Sequence, residues 1–294
     1  MTIAHLFGTP RPVLSFEVFP PKRDGDVESL YRAFDELAPL RPDYISVTYG
    51  AGGSNVGLHH EINARLVRLG ITPLAHFTCV GQGREAIRTQ LDRLRDAGVR
   101  NVLALRGDPP KGTGAFEPHP DGFRHASELI AYIRERYAFC VGAACYPETH
   151  LEATSPADDL AHLVRKTRAG ADFLVTQMFF DNAAYFAFVR RCREAGITVP
   201  IQPGVMPVMT PKFFDREWGV AVPAELKRSL QEAAGADEAA ASGLAFAIAQ
   251  CRDLLAQGAP GLHLYIMNRV RPARAILKSL EGESGRGGES LPSK

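Results

Sequence analysis

The chain is predicted to fold as an α/β protein, a single-domain (βα)8 TIM barrel, on three observations. Apolar runs alternate with helical stretches along its whole length. A helix ending in a small residue and glycine repeatedly leads into such a run. This occurs at Leu69-Gly70 before 71–77, Ala97-Gly98 before 99–105, Ala169-Gly170 before 171–177 and Ala195-Gly196 before 197–205, and more loosely at Gly258 before 261–267. Nearly every run also closes on a polar side chain: Glu17, Thr48, His76, Asp108, Tyr146, Gln177 and Tyr265. Glycine suits the position after a helix because it takes the left-handed conformation without Cβ strain. Recurrence at roughly 30 residues matches a βα unit. In such a barrel the strand C-termini meet on one face, where the chemistry resides, so the third observation points to an enzyme with one central site.

Eight strands are expected near 13–19, 43–49, 73–79, 100–106, 139–145, 172–178, 199–205 and 261–267. Helices are expected near 27–38, 57–69, 84–97, 122–137, 156–169, 182–195, 223–257 and 270–280. The stretch between the last two strands is too long for one helix, and Gly235 is expected to divide it. The barrel domain is placed at 1–280. The tail 281–294, rich in Gly and Ser without apolar pattern, is expected to be disordered. The competing architecture, an open doubly wound sheet, usually opens with a Gly-rich turn after strand one. Here strand one runs into Phe19-Pro20-Pro21-Lys22, and the Gly50-Ala51-Gly52-Gly53 turn after strand two does not match G-x-G-x-x-G. That turn reads as a loop near a ligand.

The 294 residues suit one large barrel, and the net charge of +1 gives no sign of nucleic acid or an anionic membrane as partner. The five cysteines, at 79, 140, 145, 192 and 251, are odd in number and form no C-x-x-C pair. This argues against a disulfide framework or a zinc knuckle. With no signal-peptide pattern and no run long enough to span a bilayer, a soluble, reduced, cytoplasmic protein is expected.

On strand one, alternation turns Leu14, Phe16 and Val18 toward the helices and Ser15 and Glu17 into the barrel. Burial there is expected to raise the pKa of Glu17 and make it a general acid near neutral pH; a partner in an internal ion pair is the other reading. Gly107 and the two prolines after Asp108 would hold that carboxylate on a stiff turn, whether as a ligand contact or a plain Asx turn. Gln177 offers donor and acceptor to an amide or pterin-like edge. Asp181 is placed as a helix cap, and Phe179 and Phe180 as core. On the helix after strand five, Asp159, His162 and Lys166 share a stripe, with Arg165 adjoining. It is either a solvated charged face or, beside Tyr146 and His150, a seat for a dinucleotide. The histidines 76, 150 and 162 lack a partnering motif for a metal site, and none is assigned.

Taken together, the motifs resemble the methylenetetrahydrofolate reductase family. They are Ser15-Phe16-Glu17-Val18-Phe19-Pro20-Pro21, Ser46-Val47-Thr48-Tyr49-Gly50-Ala51, His76-Phe77-Thr78-Cys79 and Leu105-Arg106-Gly107-Asp108. Tyr146-Pro147-Glu148 with His150, Thr176-Gln177-Met178-Phe179-Phe180-Asp181, Pro203-Gly204-Val205-Met206-Pro207 and His263-Leu264-Tyr265-Ile266-Met267-Asn268-Arg269 follow in the family's order, over roughly residues 13–270.

The resemblance implies a barrel holding FAD at the strand C-termini. The family passes hydride from NADH or NADPH to FAD and then to 5,10-methylenetetrahydrofolate, giving 5-methyltetrahydrofolate for methionine synthesis. Carried over by motif, Glu17 would be the general acid, Asp108 would bind the pterin and tune the flavin, and Gln177 would contact folate and nicotinamide in turn. Tyr265 and Arg269 would hold the folate tail. Thr48, His76, Arg106, Gly107, Asp108, His125, Ala126, Tyr146, His150, Asp159, His162, Arg165 and Lys166 would hold FAD. The chain departs from the family at His162, where Asn is frequent, and at His125, where Tyr is frequent. Its segment 208–223, with Phe213, Phe214 and Trp218, is shorter than in many relatives; one of these three would supply the aromatic that stacks on the nicotinamide dinucleotide. The resemblance further implies a homo-oligomer and no metal. With the chain ending just past the barrel, no inhibition by S-adenosylmethionine is expected. The competing functions are another flavin-dependent barrel dehydrogenase, a zinc-dependent methyltransferase, and a folate- or flavin-binding protein without turnover.

Overall fold

The structure, a computed structural model, describes residues 1–21, 27–49, 56–108 and 117–284. Strands β1 (Val13–Val18), β2 (Tyr44–Val47), β3 (Pro73–Thr78), β4 (Asn101–Leu105), β5 (Cys140–Cys145), β6 (Phe173–Thr176), β7 (Ile201–Gln202), β8 (Gly204–Val205) and β9 (Gly261–Tyr265) form one parallel sheet. Its order is β7-β6-β5-β4-β3-β2-β1-β9-β8. The two ends of that order, β7 and β8, are joined by the single residue Pro203, so the sheet closes into a barrel. The run expected over 199–205 is thus two short pieces of one strand. Proline has no N–H to give a ladder, and it breaks the run where it falls.

The helices are α1 (Ile3–Leu6), α2 (Val27–Leu37), α3 (Val56–Arg68), α4 (Arg84–Asp96), α5 (Ala126–Arg136), α6 (Pro156–Arg168), α7 (Asn182–Glu194), α8 (Ala224–Gln231), α9 (Ala236–Ala256) and α10 (Val270–Ser284). Gly235 divides α8 from α9 as expected, at the N-cap of the second. Helix α5 starts at Ala126 rather than near 122. Helix α10 continues through 281–284, where the tail was expected to begin; Gly282 weakens a helix by about 1 kcal/mol and does not by itself end it. The rest of that tail, the Gly50–Gly53 turn and the prolines after Asp108 lie outside the described residues.

The glycine repeat is a repeated helix stop. Gly70, Gly98, Gly170, Gly196 and Gly258 all have positive φ, between 72° and 111°. In each copy the next N–H reaches back five residues, as Ile71 to Leu66 O (3.0 Å) and Val99 to Leu94 O (3.0 Å). This double-bonded cap turns the chain at a fixed angle into the following strand.

One apolar layer lies between strands and helices and includes Phe16, Val18, Phe77 and Leu264. A second fills the lower barrel with Val13, Tyr44, Leu74, Leu103, Phe173 and Val175. The short helix α1, absent from the sequence reading, plugs this floor with Ile3 and Leu6, and Asn101 Oδ1 accepts its Ile3 N–H at 2.8 Å. Asn101 is a polar side chain at this floor, satisfied by the backbone of Ile3 and Pro73.

A Cβ at Gly261 would lie 2.1 Å from the carbonyl oxygen and 2.7 Å from the nitrogen of Val13 on the adjoining strand. Gly261→Ala is therefore expected to force β1 and β9 apart and lower stability by at least about 2 kcal/mol. Gly57→Ala, in α3 with open space around it, is expected to raise stability by about 0.5–1 kcal/mol. Chemical denaturation of both variants checks this; a Gly261→Ala midpoint equal to wild type would contradict the close strand approach.

Candidate active site

Alternation along β1, β2, β3 and β9 turns Ser15, Glu17, Ser46, His76 and His263 into the barrel above the floor. Glu17 is 6% exposed, and its Oε2 lies 3.3 Å from His76 Nε2 and 3.2 Å from His263 Nε2. The contacts continue on both sides. His76 Nε2 meets Ser46 Oγ at 2.6 Å, and His263 Nδ1 meets Ser15 Oγ at 2.8 Å. Gln202 Nε2 donates to Ser15 Oγ (3.2 Å) and Val13 O (3.0 Å), and its Oε1 accepts from Tyr44 OH at 2.6 Å. A continuous polar chain thus leaves β2 at Tyr44, passes through the barrel interior by way of Gln202, Ser15, His263, Glu17 and His76, and returns to β2 at Ser46.

This corrects the expected state of Glu17. Burial is the largest single influence on its pKa and does push it up. The positive charge and hydrogen bonds of His76 and His263 together outweigh burial and bring it down to about 2. Glu17 is both the interior carboxylate and a member of an ion-paired cluster. Its partners come from strands 59 and 246 residues away in sequence, at His76 and His263, which strand-one alternation alone does not show.

Beside this centre, at the ends of β4 and β5, lies a cavity of about 260 Å³. It brings together Arg106, His125, Ala126, Tyr146, His150, Asp159, His162 and Lys166. Lys166 donates through Nζ to Ala144 O at 2.5 Å, and burial depresses its pKa. Asp159 Oδ2 accepts the His150 N–H at 3.0 Å, and the His150 ring stands perpendicular to Tyr146 at 4.6 Å. The solvated-face reading of the α6 stripe therefore fails for these two residues. Helix α5 begins at the cavity without a side-chain cap at His125, so its first N–H groups are available to an anion. The His125 and His162 rings are 5.2 Å apart. Burial raises the Tyr146 pKa, and the carboxylates of Asp108 and Asp159 add to this.

The remaining candidates fall around these two centres. Thr48 closes β2, its N–H held by Val18 O at 3.0 Å. Gly107 has φ +91°, and a Cβ there would meet Val80 at 2.4 Å; Asp108 follows it, exposed. Gln177 is half-buried, with Oε1 accepting the Met178 N–H at 3.0 Å. Tyr265 donates to Thr176 O at 2.7 Å. Arg165 is exposed and does not line the cavity, a departure from its expected place. Arg269 is exposed beyond Met267 and Asn268, both left-handed (φ 51° and 61°). Asn268 pins that turn to β1 through Phe19, accepting its N–H at 2.8 Å and donating to its carbonyl at 2.9 Å.

The structural assignments hold: Asp181 caps α7 by accepting the Ala183 N–H at 2.8 Å, and Phe179 and Phe180 are buried. Cys145 is buried, with its thiol pKa pushed well up by burial, so it is a poor nucleophile. Trp218 donates to Phe213 O at 2.9 Å with the rings stacked 5.2 Å apart, and Arg216 covers Trp218 at 4.4 Å. Sequence reasoning missed His263, Ser46, Gln202 and Glu152 as site members. His263 was open to discovery, because it is two residues before Tyr265 on the same strand face.

Residues 3–281 match the family model described as methylenetetrahydrofolate reductase. The chain is 40% identical over 282 residues to methylenetetrahydrofolate reductase (NADH) 1 of Arabidopsis thaliana, covering 90% of this chain and 48% of that one. It is 35% identical over 276 residues to 5,10-methylenetetrahydrofolate reductase of Escherichia coli, covering 91% of this chain and 90% of that one. The chain thus spans about half the length of the plant relative and nearly all of the bacterial one. Among solved structures, an uncharacterized protein from Clostridium thermocellum, described as binding two copies of 5-methyl-5,6,7,8-tetrahydrofolic acid, superposes with a TM-score of 0.61. Its identity is 14%, over 97% of this chain and 100% of that one, a likeness of fold. No helix among the described residues is long and apolar enough to cross a membrane.

The Glu17 pKa has a consequence for acid stability. A carboxylate whose folded pKa is depressed stabilises the fold above its unfolded value, near 4.5, and loses that contribution as pH falls toward about 2. Between those limits the wild type is expected to lose on the order of 3 kcal/mol more than Glu17→Gln. Urea midpoints at pH 5 and pH 2.5 measure the difference, and equal pH slopes for the two proteins would overturn the assignment.

Proposed function

We propose that this chain, which belongs to the methylenetetrahydrofolate reductase family, reduces 5,10-methylenetetrahydrofolate to 5-methyltetrahydrofolate. Electrons come from NADH or NADPH through FAD in alternating half-reactions. The observation that carries the reading is a buried carboxylate, Glu17, at the centre of the strand-end face, beside a cavity lined by cations and aromatic rings. The names of the E. coli and Arabidopsis relatives support the substrate and a nicotinamide donor.

The donor set of the cavity suits FAD. Arg106, Lys166 and the uncapped start of α5 would hold a diphosphate. Asp159 would accept from sugar hydroxyls, and Tyr146, His125 and His162 would give aromatic walls. Bound there, FAD supplies the hydride acceptor and donor that no side chain supplies. Thr48, His76, Gly107 and Asp108 would close the flavin end. Arg165, exposed, would meet FAD only at its outer part.

The reaction needs a proton on the ring nitrogen of the folate imidazolidine, so that its bond to the methylene carbon breaks and an iminium is left to accept hydride. Glu17 would deliver that proton. In the free site it is ionised, so the proton must first reach it from His76 or His263, each within 3.3 Å. Covering the site with folate removes water and strengthens the burial effect that already pushes the Glu17 pKa up, which favours the transfer. Gln177 would orient the pterin and the nicotinamide in turn through its amide. Asp108 would hold the pterin, and Tyr265 and Arg269 the folate tail. A cytoplasmic homo-oligomer serving methionine synthesis completes the proposal.

The test is spectroscopic. Protein loaded with FAD is expected to bleach on anaerobic addition of NADH and to recover its flavin bands with methylenetetrahydrofolate. Glu17→Gln is expected to keep the bleaching but reoxidise at least about 100-fold more slowly. A protein that takes up no FAD, or a variant reoxidised at the wild-type rate, would sink the proposed mechanism.

A further inference from the structure

The cavity at the ends of β4 and β5 holds a carboxylate that the activity proposed above does not use. Arg106 grips Glu152 with both arms of its guanidinium, Nη1 to Oε2 at 2.6 Å and Nη2 to Oε1 at 2.8 Å, and both residues line the cavity. This two-point grip is the one a phosphate would ask of the same guanidinium. The contact raises the Arg106 pKa and lowers that of Glu152, so both are fully charged at neutral pH.

Glu152 is also placed so that it can leave. Its side chain is 46% exposed, so its charge can return to water with little desolvation to undo, whereas that of Arg106 is 23% exposed. The chain around it is anchored on either side. On one side the His150 N–H bonds Asp159 at 3.0 Å, and on the other Ser155 caps α6 by accepting the Asp158 N–H at 3.1 Å. Between these anchors Leu151 is 72% exposed, and Thr149 enters the segment with φ +82°, a strained value for a β-branched residue.

We propose that Glu152 is a specificity-determining gate: its carboxylate occupies the Arg106 guanidinium in the free protein and must be displaced by the phosphates of the incoming flavin dinucleotide. The proposal rests on the flavin reading of the cavity. No covalent bond changes; one ion pair is exchanged for another and the carboxylate is hydrated. A dianionic diphosphate outcompetes a single carboxylate, and a flavin without phosphate gains nothing from the exchange. Glu152 thus weakens, by the same factor, every ligand that must take Arg106 and leaves a ligand without phosphate untouched.

The experiment titrates apo-protein with FAD and, separately, with riboflavin, following flavin fluorescence, for wild type, Glu152→Gln and Glu152→Ala. Both variants are expected to bind FAD about fivefold more tightly, the size of a partly exposed ion pair, with riboflavin affinity unchanged. On an Arg106→Leu background, Glu152→Gln is expected to change nothing. Unchanged or weaker FAD binding in both variants overturns the gate while leaving the flavin reading intact. Equal tightening of riboflavin overturns the phosphate assignment. A wild-type protein that binds no FAD overturns the flavin reading and the gate with it.

Discussion

A carboxylate placed inside a barrel must find compensating charge and donors close by, and in this chain that requirement organises the upper half of the interior. Glu17 takes its partners from β3, the second strand from β1 on one side of the sheet, and β9, the first on the other. Each imidazole then needs its own second partner to fix its ring, and Ser46 and Ser15 supply them. Gln202 and Tyr44 extend the chain down to the floor. A residue lost from the middle of such a chain leaves a buried polar atom unpaired on either side, so the network acts as a unit.

That unit depends on register. His76, Glu17 and His263 meet only because their strands enter the barrel at matched heights, and the glycine caps help to set those heights. Gly70 ends α3 just before the strand that carries His76, and Gly258 ends α9 just before the strand that carries His263. A slip of one residue in either strand would turn its histidine toward the helices and leave Glu17 without a partner. The small residues at crossing points act the same way, since Gly261 lets β9 approach the backbone of Val13 two strand positions below the His263 level.

Much of this was legible in the sequence, for particular reasons. The helix stops were readable because glycine at a positive φ leaves a residue-level mark. The inward face of β1 was readable because Ser15 and Glu17 alternate with Leu14, Phe16 and Val18. The pKa of Glu17 was not, because burial and partnering act in opposite directions and only burial can be read from one strand. Lys166 looked like part of a solvated stripe because helix spacing says which residues share a face, not what that face meets; here it meets the Ala144 carbonyl at the end of β5. The pairing of Glu152 with Arg106 joins two loops 46 residues apart with no periodic signal between them. The break at Pro203 carried a plain signal, a proline inside a strand run.

The two centres are differently built. The cavity holding Arg106, Tyr146 and Lys166 lies at the start of α5 and α6, with Lys166 fixed to the Ala144 carbonyl. The Glu17 centre is fixed on strands. Tyr265 lies between them: the charge of Glu17 and the ring of Tyr146 both act on its hydroxyl, which burial holds in its neutral form. A neutral Tyr265 is held to Thr176 O and brings no charge of its own to the Glu17 centre. The local proton balance is therefore left to Glu17 and its two histidines. Whatever covers that centre takes water away from all three at once. A proton moved from an imidazolium to the carboxylate leaves both groups neutral, so the loss of water costs the neutral pair less than the charged one. In the proposed mechanism this favours moving a proton onto Glu17, and the same two histidines that keep it ionised in the open site are the groups from which it would be neutralised.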